Sequence, residues 1–336
     1  MTPVLIAVRT GINTFYAKTY VEKAGHRKGK SGPRRKVTRT YKRLSALSKV
    51  MGNAVKLDLV TGIKTFKSRI STEEMMTAWA SGNYGHVMAT IPWHILPQDL
   101  DPALKTIANG VVTTSKYVLE SMPPNINENL RFDVTNPRLK HFIQNRTGSM
   151  VTNIQANTQE VIQNAVTRSF THAQTPRQVA NEIRGSIGIL PMHERALARY
   201  RASMEEQGTD PGRVDELSDA YEERLLDYRA MTIARTETRM AVNQGQLSVW
   251  QEGVNQGYID GETSTKEWIV DGDPCATCEP MDGIRVGLND PWMLTYPNGK
   301  VAYVYNPSES HPNCLCGLEL HFTNDDGDSA DESESE

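Results

Sequence analysis

All four cysteines of this 336-residue chain fall between Cys275 and Cys316, and the first 274 residues contain none. A secreted disulfide framework spreads its cysteines through the segment it staples, whereas clustered thiols in a reducing compartment more often hold a metal. Cys275-Ala276-Thr277-Cys278 gives two thiols at C-x-x-C spacing, and His311-Pro312-Asn313-Cys314-Leu315-Cys316 gives a histidine and two more. Zinc favours four ligands in a tetrahedron, commonly contributed as two pairs from separate turns. Cys275 and Cys278 form the first pair. The second is Cys314 with Cys316, or His311 with one of them: softness favours the two thiolates, while the tightness of C-x-C favours the histidine. Asp271 is a weaker oxygen ligand, and Asp273-Pro274 shapes the turn. Four good ligands close the coordination sphere, so the expected Zn2+ is structural rather than catalytic.

The residues around the thiols read as strands. Glu267-Trp268-Ile269-Val270, Ile284-Arg285-Val286 and Gly317 to Phe322 have strand character, and the run from Thr295 to Tyr303 predicts a hairpin around Asn298-Gly299. A thioredoxin-type use of C-x-x-C needs a strand–helix setting instead. About sixty residues bury too little apolar surface to be robust alone, so this module needs a staple where the cysteines sit.

Upstream, the pattern is helical. Residues from Leu44 to Glu120 read as helices broken by Gly82, Gly85, Pro92, Pro97 and Pro102. Apolar positions from Leu139 to Val166 suit one long helix, or two meeting at Gly148. Thr175-Pro176-Arg177-Gln178 is a helix start with a hydroxyl cap, proline at the first position and glutamine at the third, and Gly188 is its stop. After the polar run Gln207 to Gly212, a long helix is expected from about Val214 to Trp250. The expected class is α+β: a predominantly α-helical body with a small C-terminal β-rich, zinc-ribbon-like module. The expected segments are 1–43, an N-terminal piece with a flexible basic arm; 44–130 and 131–260, two helical domains; 261–323, the Cys/His module; and 324–336, a disordered acidic tail.

The net charge is −3, but unevenly placed. Lys18 to Arg43 carries eleven Lys/Arg and one acid, and Asp325 to Glu336 carries seven acids and no base, so the chain without its tail stands at +4. Arg34, Arg35, Lys36 and Arg39 are candidate DNA or anion contacts, and Tyr16, Tyr20 and Tyr41 flank the charge where they could stack on bases. The tail is too charged and too poor in apolar groups to fold. No window approaches the roughly 18 apolar residues needed to span a bilayer, and no leader pattern precedes Pro3 to Val8. The expectation is a soluble, non-secreted chain with no membrane partner.

The helical run Arg229-Ala230-Met231-Thr232-Ile233-Ala234-Arg235-Thr236-Glu237-Thr238-Arg239 is dense in charge. Arg235 and Arg239 stand one turn apart, so both can face one anion or one acidic surface. That run, followed by Asn243, Trp268, Asp271, Cys275-x-x-Cys278, Asp282-Gly283 and His311-Pro312-Asn313-Cys314-x-Cys316, resembles the phage Mu F-like head-morphogenesis family. The match in order and spacing covers about Asn136 to Phe322, which places a head-morphogenesis domain at 131–260. By motif position, Arg235, Thr236, Glu237 and Asn243 fall on the family's helical signature, and Cys275, Cys278, His311, Cys314 and Cys316 on its terminal one.

The resemblance implies a minor head, or minor capsid, protein of a tailed bacteriophage, made late in infection. Such a protein is associated with the portal or inner capsid and acts in head assembly, genome packaging or delivery. It implies partners among portal, major capsid and scaffold proteins, with packaged DNA meeting the basic arm, and a location inside the head near the portal after assembly in the host cytoplasm. Residues before Glu128 match no motif of the family. The alternative is a metal-dependent nuclease or hydrolase using the Cys/His module. It would need an open metal position and a base, and the chain has no H-E-x-x-H, no G-x-S-x-G and no phosphate loop. A non-enzymatic role is therefore expected.

Overall fold

The computed structural model describes residues 37–322, apart from 82, 134 and 172–174. Ten α-helices precede five short strands among these residues. The helices are α1 (Arg39–Ser68), α2 (Thr72–Ala80), α3 (Tyr84–Ala89), α4 (Leu96–Asp99), α5 (Asp101–Glu120), α6 (Pro124–Asn127), α7 (Pro137–Thr171), α8 (Pro176–Ser186), α9 (Pro191–Glu206) and α10 (Pro211–Asn255). The strands are β1 (Thr265–Ile269), β2 (Arg285–Gly287), β3 (Trp292–Thr295), β4 (Val301–Val304) and β5 (Gly317–His321). The α+β class is as expected: mostly helical, with a small C-terminal sheet region. No helix among the described residues is long and apolar enough to cross a membrane.

The chain groups into two compact units that interleave in sequence. The first comprises residues 37–49, 110–133 and 235–322, and the second 50–109 and 135–234. One change of unit, between residues 133 and 135, lies close to the boundary expected at 130/131; none falls at 260/261, and the other three lie inside α1, α5 and α10, each of which contributes one part to each unit.

In the second unit, Val55, Leu59, Ile63 and Phe66 of α1 recur at helical spacing and are all buried. Here α2 packs on α8, and α7 packs on α8 and α9. The α7 helix is continuous through Gly148, so the one-helix reading holds. The α8 start is a full capping box: Thr175 accepts from the Gln178 backbone, and the Gln178 side chain accepts from the Thr175 N–H. Its stop is also as read, with Gly188 at φ +87°. A Cβ there would lie 2.5 Å from Ile63 Cγ2, so both the backbone and the packing exclude a side chain. The Arg229 guanidinium, buried, donates to the carbonyls of Gly188 at 2.7 Å and Ile189 at 2.8 Å. Both residues are buried just past the end of α8, so the guanidinium supplies their carbonyls with a donor away from water.

In the first unit, β1 is the central strand, antiparallel to β2 on one side and β5 on the other. The hairpin β3–β4 pairs Trp292 with Val304 and Thr295 with Val301, turning through Gly299 at φ +80°. Trp268 and Trp292 meet edge to face, with centroids 5.4 Å apart, and both are fully buried. The core around them is not the module's alone. It includes Leu44 of α1, Val118 of α5, and Val242, Val249 and Trp250 of α10 beside Cys278, Cys314, Cys316 and Leu318.

The N-terminal expectation needs a correction. Helix α1 begins at Arg39, so the last residues assigned to the flexible arm are ordered, and Tyr41 is buried rather than free to stack on bases. Its apolar ring is held against the Arg239 guanidinium, 5.4 Å from the ring centroid. Arg39 is exposed at the start of α1. Arg34, Arg35, Lys36, Tyr16 and Tyr20, with the remainder of the arm, and the tail at 324–336 lie outside the described residues.

Candidate metal centre

Two tight turns bring the sulfurs together. In the first, the Cys278 and Glu279 N–H groups both donate to the Cys275 carbonyl, at 3.0 and 2.9 Å, folding the C-x-x-C segment into a knuckle. In the second, Asn313 adopts a left-handed φ of 65°, which bends His311-Pro312-Asn313-Cys314 back on itself. Between the turns run β2, β3 and β4, so a bond across the two would clip that stretch at both ends.

Cys275, Cys278 and His311 form one group whose ligand atoms all lie within 4.8 Å of one another, and Cys278, Cys314 and Cys316 form a second. Cys278 belongs to both. The His311 Nε2 atom lies 3.1 Å from Cys275 Sγ and 3.2 Å from Cys278 Sγ, while its Nδ1 faces the Pro312 carbonyl at 2.9 Å. That second contact fixes the ring and leaves Nε2 aimed at the sulfurs. Cys278 and Cys314 Sγ are 3.9 Å apart, close to the edge of about 3.8 Å that a tetrahedron with zinc–sulfur bonds of about 2.3 Å would have. All four thiols are free, and three are buried. The donor set fits a soft four-coordinate ion with one ligand to spare. Asp271 is not among the converging groups.

The protons on this cluster are unevenly shared. Hydrogen bonding from Cys278, reinforced by His311, pulls the Cys275 thiol down to about 4 against the effect of burial. Hydrogen bonds from Cys278 and Cys316 hold Cys314 well below the ordinary thiol value, and the same bonding from Cys275 and Cys314 pushes Cys278 up. Burial opposes charge on His311, but its hydrogen bonds to Cys275 and Cys314 outweigh this and hold it at about 11. Thiolates are the form a metal needs.

One face of α10 grips these turns. Thr236, Arg239, Asn243 and Gln246 recur at intervals of three and four, the spacing that aligns side chains on a helix. Thr236 Oγ1 accepts from the Asn313 N–H at 2.8 Å, locking the left-handed turn. Arg239 Nε donates to the Cys316 carbonyl at 2.9 Å, and its Nη2 donates to the Tyr41 hydroxyl at 3.1 Å. The Asn243 amide faces the Cys316 carbonyl at 3.2 Å, Ser308 Oγ at 2.8 Å and Asn306 Oδ1 at 3.2 Å. Gln246 donates to the Leu318 carbonyl at 3.1 Å.

The expectation that Arg235 and Arg239 face one anion does not match their placement. Arg235 is exposed, whereas Arg239 is 2% exposed and turned toward neutral acceptors of the module. Glu237 is buried as well. Sequence reasoning missed Tyr41, Gln246, Asn306 and Ser308 as parts of this assembly. The one available signal was the continuation of the 236, 239, 243 spacing to 246. No protein-family model, curated protein or solved structure matches the chain.

Proposed function

We propose that this chain is a minor head protein of a tailed bacteriophage, of the phage Mu F-like head-morphogenesis family. In this reading it acts at the portal or inner capsid in head assembly and in genome packaging or delivery. Its C-terminal part is a zinc-ribbon-like module in which Cys275, Cys278 and Cys314, with His311 or Cys316, hold one structural zinc ion. When bound, zinc supplies a tetrahedral cross-link and neutralises thiolate charge in a buried place. The chain's own residues do the rest: α10 presents polar groups to main-chain atoms of the Cys/His turn, fixing the loop that carries Cys314 and Cys316.

One observation carries the proposal. The helical signature and the terminal signature, more than seventy residues apart, meet through Asn243 at the Cys316 carbonyl and through Thr236 at Asn313, with Arg239 beside them on the same helix. A motif pair defined only by order in sequence thus has a physical reason to travel together. Elemental analysis of the purified chain, beside a pull-down with the cognate portal protein, tests both parts. About one zinc per chain and retention of the portal are expected. Absence of metal would remove the module's role, and absence of portal binding the assembly role.

The basic arm is proposed to meet packaged DNA. Phosphate contacts release counterions, so its affinity for duplex DNA should fall steeply with salt. Replacing Arg34, Arg35 and Lys36 with alanine should weaken a gel shift and flatten its salt dependence. An unchanged shift would take DNA out of the proposal.

A further inference from the structure

The hairpin β3–β4 is a sheet of two strands only, so each strand has one edge that no other strand covers. The Tyr296 N–H donates to the Lys300 carbonyl at 2.8 Å, which fixes the alternation of the ladder. Bonded pairs recur at every second position, Leu294 with Ala302 and Trp292 with Val304. The pairs between them, Met293 with Tyr303 and Thr295 with Val301, do not bond each other. The main-chain N–H and C=O groups of those four residues point outward along the two edges, and they have no partner among the described residues.

The two edges differ. That of β3 is flanked by Pro291 and Pro297, which offer no N–H and stop a ladder from extending. That of β4, Val301-Ala302-Tyr303-Val304, holds neither proline nor charge. Beyond it the main-chain groups are taken. The Gly299 N–H donates to the Tyr296 carbonyl at 2.8 Å, the Tyr305 N–H donates to Glu309 Oε2 at 2.8 Å, and the Tyr305 carbonyl accepts from Lys266 Nζ at 3.0 Å. The open stretch of β4 is thus Val301 and Tyr303. Their side chains are exposed as well, Tyr303 at 66% and Val301 at 48%, beside Met293 at 58% on the same face. Native sheets guard an edge with proline, charge or a covering segment, and the head-assembly role proposed above assigns nothing to this one.

We propose that β4 pairs antiparallel with β4 of a second copy of this chain, across a two-fold axis through Ala302. Val301 of each copy then stands opposite Tyr303 of the other, giving two bonded pairs that each exchange two hydrogen bonds. Every open group of the edge meets another open group. A shift of two residues either way sets Gly299 or Tyr305, already partnered, against an open residue, so the edge is self-complementary in this register alone. Each bonded pair also sets an aromatic ring against a β-branched side chain, a favourable cross-strand match. The outer strands of the resulting four-stranded sheet are the two proline-flanked β3 edges, so the assembly closes at two copies. Two residues of strand bury far less than the roughly 800 Å² a side of a stable complex. The dimer is therefore weak and reversible, favoured where copies are concentrated.

Sedimentation of the zinc-loaded full chain, with amide hydrogen exchange read at single residues, tests the pairing. Between about 10 μM and 1 mM, a range suited to a small interface, the mean mass should climb toward that of two chains. Over the same range, exchange at the Val301 and Tyr303 amides should slow by at least about tenfold. Val301→Pro removes an outward N–H without touching a bond of the hairpin and should abolish both effects, while Thr295→Pro, its counterpart on β3, should leave them unchanged. Tyr303→Lys keeps every main-chain group, charges the edge and should also abolish them, which covers the case of a proline variant that misfolds. A chain that stays monomeric throughout overturns the proposal, as does a dimer that persists in Val301→Pro and Tyr303→Lys. Protection of both amides independent of concentration overturns it too, since another segment of the same chain would then hold the edge.

Discussion

Asn243 and Arg235 occupy the same helix, yet the energetic consequences of removing them differ sharply. Asn243 is fully buried, with its amide facing three acceptors, and Arg239 beside it closes the Cys316 carbonyl. Truncating either leaves main-chain or side-chain acceptors unpaired away from water. Asn243→Ala and Arg239→Ala should each lower stability by about 2–4 kcal/mol in a urea titration. Arg235→Ala, at an exposed position of the same signature, should leave the midpoint within error. If Asn243→Ala and Arg235→Ala behave alike, the helical signature has no structural part. A second residue-scale prediction concerns pH. Burial, with the nearby Arg229 charge, drives His193 down to about 4. The unfolded imidazole takes its proton near 6.5, so below that value the unfolded state binds more protons and the fold weakens, down to about 4. Glu194 and Glu222, whose carboxyls are raised, act in the opposite sense toward the acid end. The comparison is therefore between the chain and His193→Phe, a ring that keeps the edge contact with Tyr228. The parent should lose about 1–2 kcal/mol more than the variant between pH 7 and pH 5.

At the scale of elements, close approach decides what a helix tolerates. Gly245 of α10 faces α5 so tightly that a Cβ would lie 2.8 Å from the Thr114 side chain and 2.9 Å from the Val111 carbonyl. Ser115 reinforces the crossing by donating to the Gly245 carbonyl at 3.3 Å. Gly245→Ala, which would strengthen an isolated helix, should here destabilise by about 1–3 kcal/mol, seen as a lower thermal midpoint. A raised midpoint would mean the helices separate at little cost. The helices and strands themselves were largely legible in the sequence, because their determinants are local. Thr175 and Gln178 announce the α8 cap, Gly188 its end, and Asn298-Gly299 the hairpin turn. The clustering of Cys275, Cys278, His311, Cys314 and Cys316 was legible for the same reason, being a matter of spacing. Tertiary pairing was not. Nothing in the pattern around Tyr41 says that a ring flanked by lysine and arginine will be buried under Arg239, nor that Gly245 opposes Thr114.

For the molecule as a whole, the Cys/His centre and the core beneath it make a joint prediction. Five donors lie in two overlapping groups where a tetrahedral ion takes four, and Cys278 alone is common to both. Loss of His311 or of Cys316 still leaves four donors. His311→Ala and Cys316→Ser should each retain about one zinc with weakened affinity, whereas Cys278→Ser should retain none, as read by elemental analysis after dialysis against a mild chelator. Equal retention in all three would show that the ion does not sit at the shared sulfur. Metal alone should nevertheless not suffice for folding. The tryptophan core of the module is completed by Leu44, Val118, Val242, Val249 and Trp250, which belong to α1, α5 and α10, and its loops are held by Thr236, Arg239, Asn243 and Gln246. A peptide of residues 261–322 supplied with zinc would expose that apolar face and lose those bonds. It should bind the ion yet melt without a cooperative transition, while the full chain with zinc melts cooperatively and loses part of its midpoint on chelation. A sharp, native-like melt of the isolated peptide would mean that the turns and the ion hold the sheet unaided, and that the α10 face is a docking surface rather than part of one core.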